Sequence, residues 1–208
     1  MREVGSREGR RGLTREMGDQ SPIWSGIHYL LYLREAGAEE DCARFSLFDT
    51  EYSPAGGGHA GFLHIEPAYM PSAPASAVYT DNPEMAGWLY DRMYRDSDNS
   101  LAACGDRVIT ARFGRGGDMR QRLGYSIDSV DGTVGAAWTE LEAPFVHHGA
   151  AGKSGLYTYC LFVVANGAGL EVNGEMAPGE LYARQDWIAL VGRPLSSCLI
   201  ANEIWAET

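Results

Sequence analysis

Apolar and polar residues alternate in short runs along most of the chain, with the period of two that marks strands. Residues 43–48 show it plainly, since Phe45 and Leu47 are separated by Arg44 and Ser46 as in a half-buried strand. Residues 27–33 predict an earlier strand, 53–58 a glycine-rich loop and 61–66 a short strand. Three prolines between positions 67 and 74 make that stretch an irregular connection. From position 107 strands follow almost without a break, over 108–113, 122–128, 133–141, 156–165, 169–172, 187–191 and 197–205. Residues 156–165 are apolar on both faces, the mark of a central strand. Asp131-Gly132 predicts the turn before 133–141, and Asn173-Gly174 predicts a tight hairpin leading to Met176.

One stretch has the helical period instead. Asn82 suits an N-cap, Pro83 the first helical position and Glu84 the positive end of the dipole. Met85, Trp88, Leu89 and Met93 then form one apolar stripe, which predicts a helix near residues 83–95 packed on the sheet. Nine to eleven short strands and one main helix predict a mainly β fold, an antiparallel barrel or sandwich. Regular strand–helix alternation is missing, which argues against a parallel α/β fold. Residues 21–208 read as a single β-rich domain. Residues 1–20, with five arginines, three glutamates and no apolar run, read as a disordered, mildly basic tail rather than a secretory signal.

Charge narrows the function classes. A net charge of −11 over 208 residues argues against nucleic acid as a partner. No run of eighteen apolar residues exists, so no membrane span is expected. Cys42, Cys104, Cys160 and Cys198 lie too far apart in sequence for zinc knuckles or redox pairs, and a reducing cytoplasm suits them. The G-x-S-x-G elbow, the phosphate loop with lysine and H-E-x-x-H are all absent, so no cofactor is expected.

The chemistry that remains is carried by single side chains. Trp138, Glu140 and Glu142 share one strand face, as do Leu199, Ala201, Glu203 and Trp205. A glutamate beside a tryptophan on a partly buried face can hold its proton near neutral pH and donate it. Tyr125 shares a face with Leu123 and Ile127, and Tyr157 shares one with Tyr159. Arg112 offers a partner for a carboxylate. His147 and His148 are adjacent on a strand, so at most one faces a cavity. His59, His64 and Glu66 have the ligand types of the cupin metal site, to which they bear a partial resemblance. There the two histidines lie one residue apart, whereas His59 and His64 are five apart, and the main reading has no metal. Pro22-Ile23-Trp24 resembles the first-strand signature of the lipocalins (glycine, any residue, tryptophan) in its tryptophan but not its glycine. The resemblance implies a lipocalin-like or calycin-type barrel, and no family residue is carried over.

Together these features predict acid–base chemistry, of isomerase, hydratase or dehydratase type, on a partly apolar small molecule. His148, Glu203, Tyr125 and Glu140 are the expected catalytic residues. Trp138, Tyr157, Tyr159, Arg112 and Trp205 are the expected ligand-binding residues. Residues 53–58 and 149–155 are the expected lid loops at one rim. A non-catalytic binding protein and an assembly subunit, with a homo-oligomer in view, are the alternatives. A pocket function requires polar groups converging in a cavity, whereas an assembly role predicts a filled barrel and an exposed apolar patch.

Overall fold

The computed structural model describes residues 21–151 and 156–207. The predicted tail, residues 1–20, lies outside them. The first nine strands are β1 (Pro22–Leu33), β2 (Ala43–Tyr52), β3 (Gly58–Ile65), β4 (Ser76–Thr80), β5 (Val108–Asp118), β6 (Arg122–Ser129), β7 (Gly132–Leu141), β8 (Phe145–Ala151) and β9 (Leu156–Val172). Three two-residue strands follow, β10 (Glu175–Met176), β11 (Ala183–Arg184) and β12 (Leu195–Ser196), and then β13 (Cys198–Glu207). Helix α1 (Pro83–Met93) and a 3-10 turn (Ser100–Asp106) connect β4 to β5, and helix α2 (Trp187–Val191) lies between β11 and β12.

β1 to β7, β9 and β13 close into a nine-stranded barrel, with β9 meeting β7 on one edge and β13 on the other. The barrel is mixed, because α1 carries the chain across so that β4 and β5 run parallel. β9 is seventeen residues long. One edge of it pairs with β7 from Ala165 to Val172 and with β8 from Leu156 to Phe162, so β8, β9 and β13 extend beyond the closed ring.

Strand alternation divides the apolar residues between two cores. Tyr29, Phe45, Leu63, Tyr79, Ile127, Trp138, Val163 and Ile200, from eight of the barrel strands, meet inside the ring. Tyr29, Phe45 and Trp138 have no solvent exposure, and the Trp138 Nε1 donates to the Leu30 carbonyl at 2.9 Å. The interior is thus filled by side chains, where the pocket expectation needed an open lumen. The second core lies on the outer face of β1, β2, β3, β9 and β13, under α1, the 3-10 turn and α2. α1 starts where the sequence predicts it. Asn82 Oδ1 accepts from the Met85 amide at 3.2 Å, and Asn82 Nδ2 ties the cap to the β2–β3 turn at Ala55 and Gly57.

Three elements differ from the sequence expectation. Residues 187–191, expected as a strand, form α2, closed by Gly192 in the left-handed region at φ 76°. Residues 145–151 form β8, so the first part of the expected lid at 149–155 is strand. β4 occupies residues 76–80, where no strand was expected.

Candidate functional site

The second core contains a polar island. The outer face of β1 carries Trp24, Gly26, His28, Leu30 and Tyr32, that of β13 carries Ala201, Glu203 and Trp205, and that of β9 carries Leu156, Thr158, Cys160 and Phe162. Register places Gly26 and Cys160 on either side of Glu203. Gly26 has no room for a side chain, since a Cβ there would stand 2.3 Å from the Asp49 carbonyl and 2.9 Å from the Trp24 ring. Trp24 in turn packs on Trp205 at a ring separation of 4.3 Å.

Glu203 is 9 % exposed, yet no lysine or arginine approaches it among the described residues. The Trp205 Nε1 donates to its Oε2 at 2.5 Å, and the Thr158 hydroxyl reaches the same oxygen at 3.5 Å. Its Oε1 lies 3.6 Å from His28 Nδ1. His28 is stacked on Phe48 at 4.1 Å, and its Nε2 shares a hydrogen bond with Ser46 Oγ at 2.7 Å. Ser46 Oγ then meets the Tyr94 hydroxyl at 2.6 Å. Glutamate, imidazole and hydroxyl are ordered here as in a hydrolase triad. Ser46, however, has no solvent exposure and Tyr94 caps it, so it fixes the histidine instead of attacking a substrate. Burial raises the Tyr94 phenol well above its usual range. Burial, reinforced by Glu203, also raises the Cys160 thiol, whose Sγ is 2.8 Å from Thr158 Oγ1. Both groups are neutral at neutral pH, and Cys160 is no thiolate nucleophile.

A groove of about 710 Å³ opens onto this island. His28, Thr158, Cys160 and Glu203 form its polar floor, and Leu30, Tyr32, Phe162, Trp187 and Trp205 supply apolar wall. Residues 91–99, the end of α1 and the chain beyond it, form the opposite side. The Trp187 Nε1 in that wall is a buried donor with no partner among the described residues. A groove of this size, with aromatic walls, a converging polar floor and a charged rim, is large enough to admit a small molecule.

Of the residues expected from the sequence, only Glu203 and Trp205 belong to this groove. Tyr125 faces the barrel interior and donates to Asp49 Oδ2 at 2.8 Å. His59 stands beside it at the barrel mouth, between Asp49 at 3.5 Å and Asp81 at 2.7 Å. Burial raises the Tyr125 phenol, and Tyr29 and Asp49 add to the effect. Trp138 fills the barrel, so it is a core residue and not the wall of an open cavity. Glu140 does not share its surroundings, being exposed with a left-handed backbone at φ 53°. Arg112 is exposed on β5. His148 and Tyr157 bond to each other at 2.9 Å, and Tyr157 packs on Tyr159 at 5.0 Å, on the face of β8–β9 opposite to the groove. His147 points to the other face, stacked on Phe162, as strand alternation requires.

His59 and His64 face opposite sides of β3, because an odd spacing of five reverses direction, and cannot share a metal. His64 bonds to Ser76 at 2.8 Å instead. No group of three metal-ligating side chains gathers among the described residues. The sequence reading missed His28, Ser46, Tyr94 and Thr158. The signal available was a histidine and a serine on otherwise apolar strand faces. No helix among the described residues is long and apolar enough to cross a membrane. No protein-family model matches the chain, and neither a curated protein nor a solved structure shows significant similarity to it.

Proposed function

We propose that the groove binds a small, partly apolar molecule and that Glu203, held by Trp205 and backed by His28, takes and returns a proton from it. The observation that carries this reading is the buried Glu203–His28 pair on the floor of a groove with aromatic walls and a charged rim. Such a carboxylate abstracts a proton from carbon without a cofactor, as isomerases, hydratases and dehydratases require. The ring opening of nitrobenzisoxazole tests it. In that reaction a base removes the ring C–H proton, the N–O bond breaks and a coloured phenolate forms. Glu203→Gln is expected to lower turnover roughly a hundredfold or more. Equal turnover in wild type and variant would remove Glu203 from the chemistry.

A second reading is favoured by a separate observation, the filled barrel together with apolar residues exposed on β8, β9 and β13. Val146 is 75 % exposed and Leu161 41 %. Self-association through this surface is measurable by sedimentation, and a monomer at high concentration excludes it.

A further inference from the structure

We infer that the ligand of the Glu203 groove is an organic cation, an amine attached to an apolar or aromatic body. The inference rests on the groove being a small-molecule site and names the charge class of its ligand. Its charged lining residues are Asp91, Asp96, Asp98 and Glu203 against Arg92 and Arg184, four carboxylates to two guanidinium groups. Both arginines already have partners. Arg92 Nη2 bonds to Glu207 at 2.8 Å. Arg184 forks onto Asp186 and lies over the Tyr32 and Trp187 rings at 5.1 and 5.5 Å. Asp91 is taken up by Arg95. The carboxylates without a guanidinium partner among the described residues are Glu203 on the floor and Asp96 and Asp98 at the rim.

A carboxylate buried without a full countercharge is costly, and a ligand ammonium would supply that charge. The surroundings suit such a group. Aromatic faces attract cations, and the groove has Tyr32, Tyr94, Trp187 and Trp205 in its lining. The field of a chain with net charge −11 draws cations in and repels anions. An anionic ligand would meet the reverse at every step, with the guanidinium groups already engaged.

Three probes with similar aromatic bodies separate the cases by calorimetric titration of the full chain near neutral pH. They are phenethylamine, a cation; phenethyl alcohol, neutral; and hydrocinnamate, an anion. The amine is expected to bind about tenfold tighter than the alcohol, with hydrocinnamate weakest, and to weaken as salt is raised. Glu203→Gln should remove the advantage of the amine and leave the alcohol unchanged. The double variant Asp96→Asn, Asp98→Asn, at the exposed rim where folding is insensitive, should weaken the amine two- to threefold, roughly the loss of two screened surface charges. An alcohol or hydrocinnamate affinity equal to that of the amine, or an amine preference that survives Glu203→Gln, overturns the inference and leaves the groove a ligand site. Failure of all three probes to bind overturns the groove as a small-molecule site as well.

Discussion

His28 is the hinge of the site at the scale of single residues. One ring nitrogen faces Glu203 and the other is held by Ser46, which Tyr94 holds in turn. Ser46→Ala leaves two buried polar groups without their shared partner, which is expected to cost about 1–3 kcal/mol of stability in urea unfolding. It should also lower kcat for nitrobenzisoxazole opening with KM unchanged, because the imidazole loses its orientation while the groove keeps its shape. A loss of stability with kcat intact would make Ser46 a packing residue only. Glu203 and Trp205 were legible in the sequence because residues two apart on a strand share a face. His28 and Ser46 were not, because the approach of His28 to Glu203 and of Ser46 to His28 depends on the register of β13, β1 and β2, which no local pattern encodes.

Among elements, β8 is exceptional. It pairs with β9 alone among the described strands, and its seven residues include no lysine, arginine, acid or proline to discourage a further strand. Val146 on its exposed face continues into Leu161 of β9. A second copy meeting this edge in antiparallel fashion would extend the sheet across a twofold axis without like charges opposing each other. Val146→Lys is expected to shift any dimer seen by sedimentation to monomer, while an unchanged distribution would place the contact elsewhere. β8 also shows how far an element can escape sequence reading, since His147 and His148 read as the end of a strand while the small residues from Gly149 on read as a loop. The run of residues 187–191 misleads in the other direction. Five apolar residues fit a buried strand or a helical turn equally well, and packing on Phe162 decides for the turn. α1 was legible because Asn82, Pro83 and Glu84 mark its start by chemistry that needs no distant partner.

Across the whole molecule, burial holds the four thiols and two of the histidines in their neutral forms. Burial pushes the Cys104 thiol from 9.0 up to about 12 and raises Cys42, Cys160 and Cys198 as well. A raised thiol pKa favours the folded state fully below pH 9, and that contribution is lost as pH rises through the folded value. Burial lowers His64 and His147 from 6.5. Both stay neutral when folded, so their contribution is full above pH 6.5 and is lost as pH falls below it and the unfolded chain takes up protons. The unfolding free energy is therefore expected to be level between about pH 6.5 and about pH 9 and to decline on both sides. An alkaline limb that stays level up to about pH 11 would contradict the burial of the thiols. The sequence made a barrel foreseeable. Its filled interior was not, since whether Tyr29, Phe45 and Trp138 meet across the ring depends on strand number and stagger.

The seam that β13 makes between β9 and β1 has a consequence in time. Contacts such as that of Ser197 with Tyr32 join residues 165 apart, so the loop they close is long and its entropy opposes the step until the rest of the sheet is in place. Folding should be slow, and a half-made sheet presents two greasy margins that only this strand can join. Because β13 also carries Glu203 and Trp205, the carboxylate proposed to move the proton arrives in the same event that shuts the wall. A chain caught before that event has neither barrel nor site, and competence appears all at once.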